Sequence, residues 1–183
     1  MNKEIELRFK INNKIRDKIT HFSKYWESEN QEDYYYRGAF KGVIRIRKTD
    51  NKNELCYKCF DKEHKGLWIE NETNIGDPNV IEKIFKKMKL DKFLKIKKDR
   101  ETTMIVYKKS NVTINIDNIK GLGLFCEVEL ISEKNKKDVL LKLIKELGIE
   151  KSRIINKGYV QLMLTRQKEY GNKKPKNKTK NNR

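Results

Sequence analysis

The sequence predicts an α+β protein, in which a closed antiparallel β-barrel carries amphipathic helices on its outside. Three observations support this class. Several segments alternate between apolar and polar residues, which is the period of a β-strand. Three further segments carry apolar residues at helical spacing. The polar faces of the strands collect like charges, which indicates that these faces line the barrel interior rather than meet solvent.

The three helical segments each present one apolar face toward a core. The first covers 13–29, and the third covers about 135–147 and ends before Gly148, a residue suited to a helix C-terminus. The second begins with Asp77 as N-cap and Pro78 in the first turn. The apolar positions are Ile15, Ile19, Phe22 and Trp26; Val80, Ile81, Ile84, Phe85 and Met88; and Val139, Leu140, Leu143, Ile144 and Leu147.

The strand-like segments place charges of one sign side by side on their polar faces. EIELR puts Glu4, Glu6 and Arg8 on one face, and CEVEL puts Glu127 and Glu129 on one face. The other polar-face residues are Arg45, Arg47, Lys58, Glu70, Glu72, Thr113, Asn115 and Asp117. Any one of these strands also fits a sheet with one solvent-facing side. Taken together, such like charges destabilise a sheet unless counter-ions compensate them, so we expect a hydrated interior that binds a polyanion and divalent cations.

The 183 residues fit one domain, 1–166, followed by a basic tail, 167–183. The net charge is +18, which predicts anionic partners. The tail holds six Lys and one Arg against one Glu, and it has almost no apolar residues to bury, so we expect it to be disordered. Two interpretations stay open for the tail: a solvating extension or an arm that binds RNA.

Neither a membrane span nor a disulfide is predicted. No apolar run approaches the roughly 20 residues that a spanning helix needs, and MNKEIELRFK lacks the apolar stretch of a signal peptide. Three cysteines without such a signal fit a cytoplasmic protein. Cys56 and Cys59 would point to opposite faces of a strand, and no second pair has zinc-ligand spacing, so a zinc site is not expected.

Several motifs, in order, resemble those of the CYTH family, the triphosphate tunnel metalloenzymes. Glu4-x-Glu6-x-Arg8 resembles the family's E-x-E-x-K signature. QEDYYY resembles the aromatic second strand, IRIR the paired-arginine strand, and YKCF the strand with a triphosphate-binding lysine. Residues 96–130 resemble the K-x-R strand, the aspartate strand and the G-L-G-x-F-x-E-x-E segment, and GYVQLML resembles the C-terminal element of the class IV adenylyl cyclase-like branch.

The sequence departs from the family pattern at three positions. Arg8 replaces the usual lysine of the signature, which keeps the charge but changes a compact ammonium to a planar fork. Trp68 replaces a basic residue two positions before Glu70, so we expect either that one phosphate contact is missing or that the nucleobase end of the site differs. Gly158 replaces the usual serine before Tyr159.

The resemblance implies a tunnel of about eight strands that binds a triphosphate with Mg²⁺ or Mn²⁺. The residues expected to act in catalysis are Glu4, Glu6, Glu127 and Glu129. The expected metal ligands are Glu4, Glu6, Asp117, Glu127 and Glu129, because hard carboxylate oxygens favour these ions over zinc. The expected triphosphate-binding residues are Arg8, Arg45, Arg47, Lys58, Lys98 and Arg100, whose cations neutralise phosphate charge.

Three functions remain compatible with these residues. The first is a class IV adenylyl cyclase-like enzyme that converts ATP to cyclic AMP and pyrophosphate. The second is a triphosphatase acting on tripolyphosphate, a nucleoside or thiamine triphosphate, or an RNA 5′-triphosphate. The third is a binder of RNA or polyphosphate without catalytic activity. The substrate partner is thus a nucleoside triphosphate or another triphosphate, and the protein is expected to be a monomer or a homodimer.

Overall fold

The computed structural model describes residues 3–60, 68–132 and 136–173. Its described strands are β1 Lys3–Lys10, β2 Glu27–Arg37, β3 Val43–Lys48, β4 Asn53–Phe60, β5 Trp68–Ile75, β6 Asp91–Tyr107, β7 Ser110–Ile119 and β8 Gly123–Ser132. Its described helices are α1 Asn13–Thr20, α2 Pro78–Lys87, α3 Lys137–Glu146 and α4 Tyr159–Lys173, with a short 3₁₀ turn at Lys151–Arg153. The predicted α+β class is confirmed.

The eight strands form one antiparallel sheet in the order β1-β8-β7-β6-β2-β3-β4-β5. The sheet curls into a half-barrel, and within the described ranges no backbone pairing joins β1 to β5. The side chains of the two edge strands nevertheless face each other across the concave side, since Glu70 of β5 acts electrostatically on Glu4 of β1. The concave side is therefore a groove into which several strands point their charged residues.

The apolar residues of the alternating strands pack on the convex side, as the sequence predicts. Leu7 and Phe9 of β1 and Val128 of β8 are buried against Ile19 of α1 and Leu143 of α3. A second cluster joins Tyr36 and Ile46 to Phe85 of α2. These helices therefore cover the outside of the curled sheet and leave the concave side to the polar residues.

The helix predicted over 13–29 ends at Thr20 instead. The chain turns after this residue, and the indole N–H of Trp26 donates to the carbonyl oxygens of Thr20 (3.2 Å) and Ser23 (3.1 Å). Trp26 thus packs against the same core as the helix without being part of it. The apolar spacing continued past the real end of the helix, because a turn can return an aromatic residue to the same surface.

The other two predicted helices agree closely with the structure. Asp77 accepts a hydrogen bond from the backbone N–H of Asn79 at 2.8 Å, with Pro78 in the first turn of α2. The third helix, α3, is followed by Gly148 at φ +76°, a conformation that glycine adopts without strain. In α1–α4, no helix is long and apolar enough to cross a membrane.

The fourth helix, α4, packs against one end of the concave side. Its first residue, Tyr159, is buried with Leu94, Ile96, Ile119 and Phe125, which continue the groove-facing rows of β6, β7 and β8. The rings of Phe125 and Tyr159 meet edge to face at 5.4 Å. This end of the groove is therefore filled by an apolar cluster rather than by charges.

The same helix extends into the predicted tail. It runs to Lys173, whereas the predicted domain boundary lies after residue 166. Residues 174–183 lie outside the described part of the chain, so the disorder of this part of the tail, the domain boundary and the binding of RNA stay predictions.

Candidate active site

Three carboxylates meet on the concave side at the junction of β1 and β8. Glu6 is paired with Glu129 across the two strands, and Glu4 lies two residues earlier on the same face. One carboxylate oxygen from each of the three residues lies within 4.8 Å of the other two. Glu129 also accepts a hydrogen bond from the side chain of Asn115 at 3.0 Å. We refer to Glu4, Glu6 and Glu129 as the carboxylate cluster.

The carboxylate cluster carries more negative charge than its surroundings compensate. Partial burial and repulsion from Glu129 raise the pKa of Glu4 to about 8. Partial burial and repulsion from Glu127 likewise raise the pKa of Glu6 to about 8, although Arg8 is bound to it at 2.6 Å. A divalent cation among these oxygens would relieve the repulsion, and hard oxygen donors are those that Mg²⁺ and Mn²⁺ prefer. The donor set therefore fits a metal ion of this class.

The remaining two predicted metal ligands belong to a different arrangement. Asp117 is fully buried. Its carboxylate accepts hydrogen bonds from Nε and Nη2 of Arg100, both at 2.7 Å, from the ammonium of Lys98 at 3.3 Å and from the hydroxyl of Tyr159 at 2.9 Å. The carboxylate of Glu127 accepts hydrogen bonds from Arg100 at 2.6 Å and from Arg8 at 2.5 Å. We call Arg8, Arg100, Asp117 and Glu127 the arginine network.

The arginine network is electrostatically compensated. Burial alone would raise the pKa of Asp117, but Lys98 and Arg100 lower it below its ordinary value. Burial acts in the same direction on Glu127, and there Arg8 and Arg100 lower the pKa well below its ordinary range. These two carboxylates are already saturated by cations, which explains why they do not join the carboxylate cluster.

The predicted phosphate-binding residues on β3 and β4 also form ion pairs with carboxylates. Arg47 makes a bidentate pair with buried Asp33, at 2.7 and 2.9 Å. Lys58 contacts Glu70 at 2.5 Å. Arg45 reaches Glu72 at 3.2 Å, and its buried Nε has no hydrogen-bond partner among the described residues. Arg45 thus keeps one donor that the described part of the chain does not satisfy.

All eleven predicted site residues lie on the groove side of the sheet. They fall into three groups: the carboxylate cluster, the arginine network with Lys98, and the cations of β3 and β4. Sequence reasoning missed Asp33, which orients Arg47. The alternation of Gln31, Asp33 and Tyr35 in β2 was a usable signal, because these residues share the face of the arginines. The side chain of Trp68 lies outside the described residues, so the effect of that departure stays a prediction.

A second group of possible ligands lies near Lys58. Cys56 and the two glutamates of β5, Glu70 and Glu72, bring one donor atom each within 4.8 Å of one another. Burial raises the pKa of the Cys56 thiol to about 11, which disfavours a thiolate ligand. All three cysteines are free, which agrees with the expected absence of disulfides.

This arrangement can be compared with known proteins. The family described as CYTH domain matches residues 2–159, nearly the whole described chain. The chain belongs to the CYTH family. The resemblance of the sequence to this family is thereby confirmed. Membership, together with the relatives' names, supports an enzyme of the cyclase or triphosphatase type.

Three relatives illustrate the relationship. A protein of Methanocaldococcus jannaschii named "Putative adenylate cyclase" is 34% identical over 175 residues, which cover 87% of this chain and 97% of that protein. A Pyrococcus horikoshii structure is 26% identical with a TM-score of 0.76, covering 87% of this CYTH chain and 98% of its own. A Hippeastrum structure, described as an adenylyl cyclase candidate with a dominant triphosphatase activity, shares the fold at a TM-score of 0.65 and 17% identity, covering 92% and 96%.

Proposed function

We propose that this CYTH protein is a metal-dependent enzyme acting on a triphosphate, and that its reaction is that of a class IV adenylyl cyclase, from ATP to cyclic AMP and pyrophosphate. One observation carries the proposal: a carboxylate cluster suited to a divalent cation lies beside a set of cations on the same concave surface. The name of the Methanocaldococcus relative supports the cyclase form of the reaction.

The cations are proposed to hold the triphosphate. Arg45, whose buried Nε has no hydrogen-bond partner in the described part of the chain, would contribute the first new hydrogen bond to phosphate. Lys58 and Lys98 would add further donors, and the three other arginines would exchange part of their carboxylate contacts for phosphate oxygens. Asp33, Asp117 and Glu127 then serve as positioning residues, since each orients an arginine through a charged hydrogen bond.

The carboxylate cluster is proposed to act at the reacting phosphorus, while Glu127 beside it holds Arg8 and Arg100 in place. A bound Mg²⁺ or Mn²⁺ supplies charge neutralisation and lowers the pKa of the attacking hydroxyl. In the cyclase reaction the ribose 3′-oxygen bonds to the α-phosphorus and the bond to the bridging β-phosphate oxygen breaks. The hydroxyl proton leaves to a carboxylate or water, and pyrophosphate departs against the cations.

Hydrolysis is the second candidate, because the same groups would serve water attacking the terminal phosphorus. The neighbour with the same fold whose dominant activity is that of a triphosphatase gives this alternative specific support. Its substrates would be tripolyphosphate, a nucleoside or thiamine triphosphate, or an RNA 5′-triphosphate. The chemistry of the two reactions differs only in which phosphorus meets the activated oxygen.

A product assay separates these candidates. Purified protein is incubated with ATP, GTP, tripolyphosphate or triphosphorylated RNA, each with Mg²⁺ or Mn²⁺, and the products are identified by chromatography and mass spectrometry. Cyclic nucleotide with pyrophosphate supports the cyclase, whereas orthophosphate without cyclic product replaces it with the triphosphatase.

A matched pair of variants tests whether the protein is an enzyme at all. Glu129→Gln should abolish turnover while triphosphate binding holds or tightens, and Glu32→Gln, on the convex face beside Lys95 and Lys97, should leave turnover unchanged. If the wild type turns over none of these substrates with either metal but still binds polyanions, the protein is a binder of RNA or polyphosphate without catalytic activity.

A further inference from the structure

The groove continues beyond its charged part into an exposed apolar surface. Met104 and Val106 of β6 and Ile131 of β8 are 67%, 77% and 71% exposed. Their strand neighbours Ile105 and Leu130 pack into the convex core, so the three residues point to the concave side. We call Met104, Val106 and Ile131 the apolar rim.

Strand register places Met104 in the same row as part of the carboxylate cluster and Ile131 in the next row outward. Met104 is paired with Thr113, Thr113 with Glu129, and Glu129 with Glu6, so these residues form one row across four strands. Adjacent strands lie about 4.8 Å apart, which puts Met104 about 10 Å from Glu129. In the next row outward, Ile131 is paired with Glu4.

The residues of β6 show how the groove changes along its length. Leu94 and Ile96 belong to the apolar cluster under α4, Lys98 and Arg100 contact Asp117, and Thr102 donates to Asn115 at 2.8 Å. Met104 and Val106 follow on the same face. Four residues of extended chain separate Arg100 from Met104, which is about 13 Å. Along the described strand β6, a ligand held by the charged part therefore meets exposed apolar surface toward the rim, because α4 fills the other end.

Polar groups lie among the apolar residues of this surface. Thr113 is in the row of Met104, and Asn111 is paired with Val106. Their alternation with Val112 and Ile114, which are buried in the convex core, turns both side chains toward the groove. An apolar surface with a few polar groups suits a flat ring that has hydrogen-bonding edges, and a methionine thioether packs well against such a ring.

We propose that the apolar rim is the subsite for the nucleobase of a nucleoside triphosphate, an assignment that rests on the proposed function of the charged part. The phosphates lie on the cations, the reacting centre lies at the carboxylate cluster, and the base packs on Met104, Val106 and Ile131. Thr113 and Asn111 face the edges of the base. Inorganic tripolyphosphate has no group that reaches this surface.

The test uses a rim variant and a control variant of matched composition. The rim variant is M104Q/V106T/I131T. The control, V80T/I84T/M88Q, changes the same three residue types on α2 and at its C-cap, Met88, where they are 47%, 47% and 62% exposed outside the groove. Calorimetry with Mg²⁺ measures the Kd of ATP and of tripolyphosphate for each protein, and thermal unfolding verifies that each is folded.

The rim variant should weaken ATP binding about tenfold while tripolyphosphate binding changes less than about twofold. The control should leave both unchanged. Unchanged ATP binding by the rim variant, or equal loss for both ligands, overturns the subsite. If the wild type binds tripolyphosphate but not ATP, the subsite is wrong and the triphosphate function stands. If it binds neither ligand, both are wrong.

Sedimentation tests a different occupant of the same surface. If the wild type is a dimer and the rim variant a monomer, the rim is an interface between copies of this chain and the nucleobase subsite is wrong. A rim variant with the oligomeric state of the wild type supports the subsite when its loss of affinity is confined to ATP.

Discussion

The carboxylate cluster and the arginine network are built from the same kinds of residue on the same sheet, yet they are in opposite electrostatic states. Asp117 and Glu127 have lowered pKa values, because arginine and lysine overcome the effect of burial. Glu4 and Glu6 have raised pKa values, because burial and repulsion from the neighbouring carboxylates outweigh the nearby cations. The network is therefore complete without a ligand, whereas the cluster gains its compensation only when a cation binds.

This difference separates residues that maintain the groove from residues available to a ligand. A buried carboxylate paired with arginine is costly to remove, since its partner is left as an uncompensated charge. Removing a carboxylate from a repelling cluster should change the free energy of unfolding little, but it should lower the affinity for the metal strongly. Four predictions test the comparison, from the largest expected effect to the smallest.

Asp117→Ala should produce the largest loss of stability. The substitution leaves Arg100 and Lys98 without their shared buried partner, and breaking such a pair costs about 3–5 kcal/mol. Urea unfolding followed by circular dichroism measures the free energy of unfolding. A change below about 1 kcal/mol would show that the arginine network is not compensated as described.

Glu129→Gln should lower metal affinity by at least about tenfold while changing the free energy of unfolding by less than about 1 kcal/mol. It removes one charge from a repelling group, and the amide oxygen can still accept from Asn115. Titration with Mn²⁺ followed by electron paramagnetic resonance gives the affinity. Equal Mn²⁺ affinity in variant and wild type would place the metal elsewhere.

Stability without metal should depend on pH through Glu4 and Glu6. Between their ordinary pKa of 4.5 and about 8, the native state holds more protons at these carboxyls than the unfolded chain does. Their contribution to the free energy of unfolding therefore falls as pH rises through this window. Added Mn²⁺ should raise the melting temperature more at pH 8 than at pH 6, because protons compete with the metal.

The E4Q/E6Q variant is the control for this pH dependence. Its metal-free stability should fall less between pH 5 and pH 8 than that of the wild type, and Mn²⁺ should have little effect at any pH. Parallel pH profiles of variant and wild type would contradict the raised pKa values. The two proteins are compared below pH 8. Burial and Arg100 lower the pKa of Lys98 to about 8, and above this pH deprotonation of Lys98 makes the free energy of unfolding rise with pH instead of fall.

Tyr159→Phe should have the smallest effect, a loss of about 1 kcal/mol in the free energy of unfolding. The variant loses the hydroxyl donor to Asp117 but keeps the ring, which packs on Phe125 and lies 4.2 Å from the guanidinium carbon of Arg8. Chemical denaturation measures the difference. A loss above about 3 kcal/mol would mean that Asp117 depends on this hydroxyl more than on its cations.

The sequence alone determined which side of each strand faces the groove. Alternation is a local property of extended chain, so Glu4, Arg45, Lys58 and Glu127 could be assigned to one surface before any partner was known. The α2 N-terminus and the end of α3 were equally local, because capping at Asp77 and Gly148 depends on neighbouring residues only.

Tertiary structure alone decided how the charges are partnered. Asp117 and Glu129 both belong to polar faces of predicted strands, but one is surrounded by cations and the other by carboxylates. That distinction depends on the register of β6, β7, β8 and β1, which alternation within a single strand does not specify. The position of α4 in the end of the groove is decided in the same way, since it follows from packing between residues far apart in the chain.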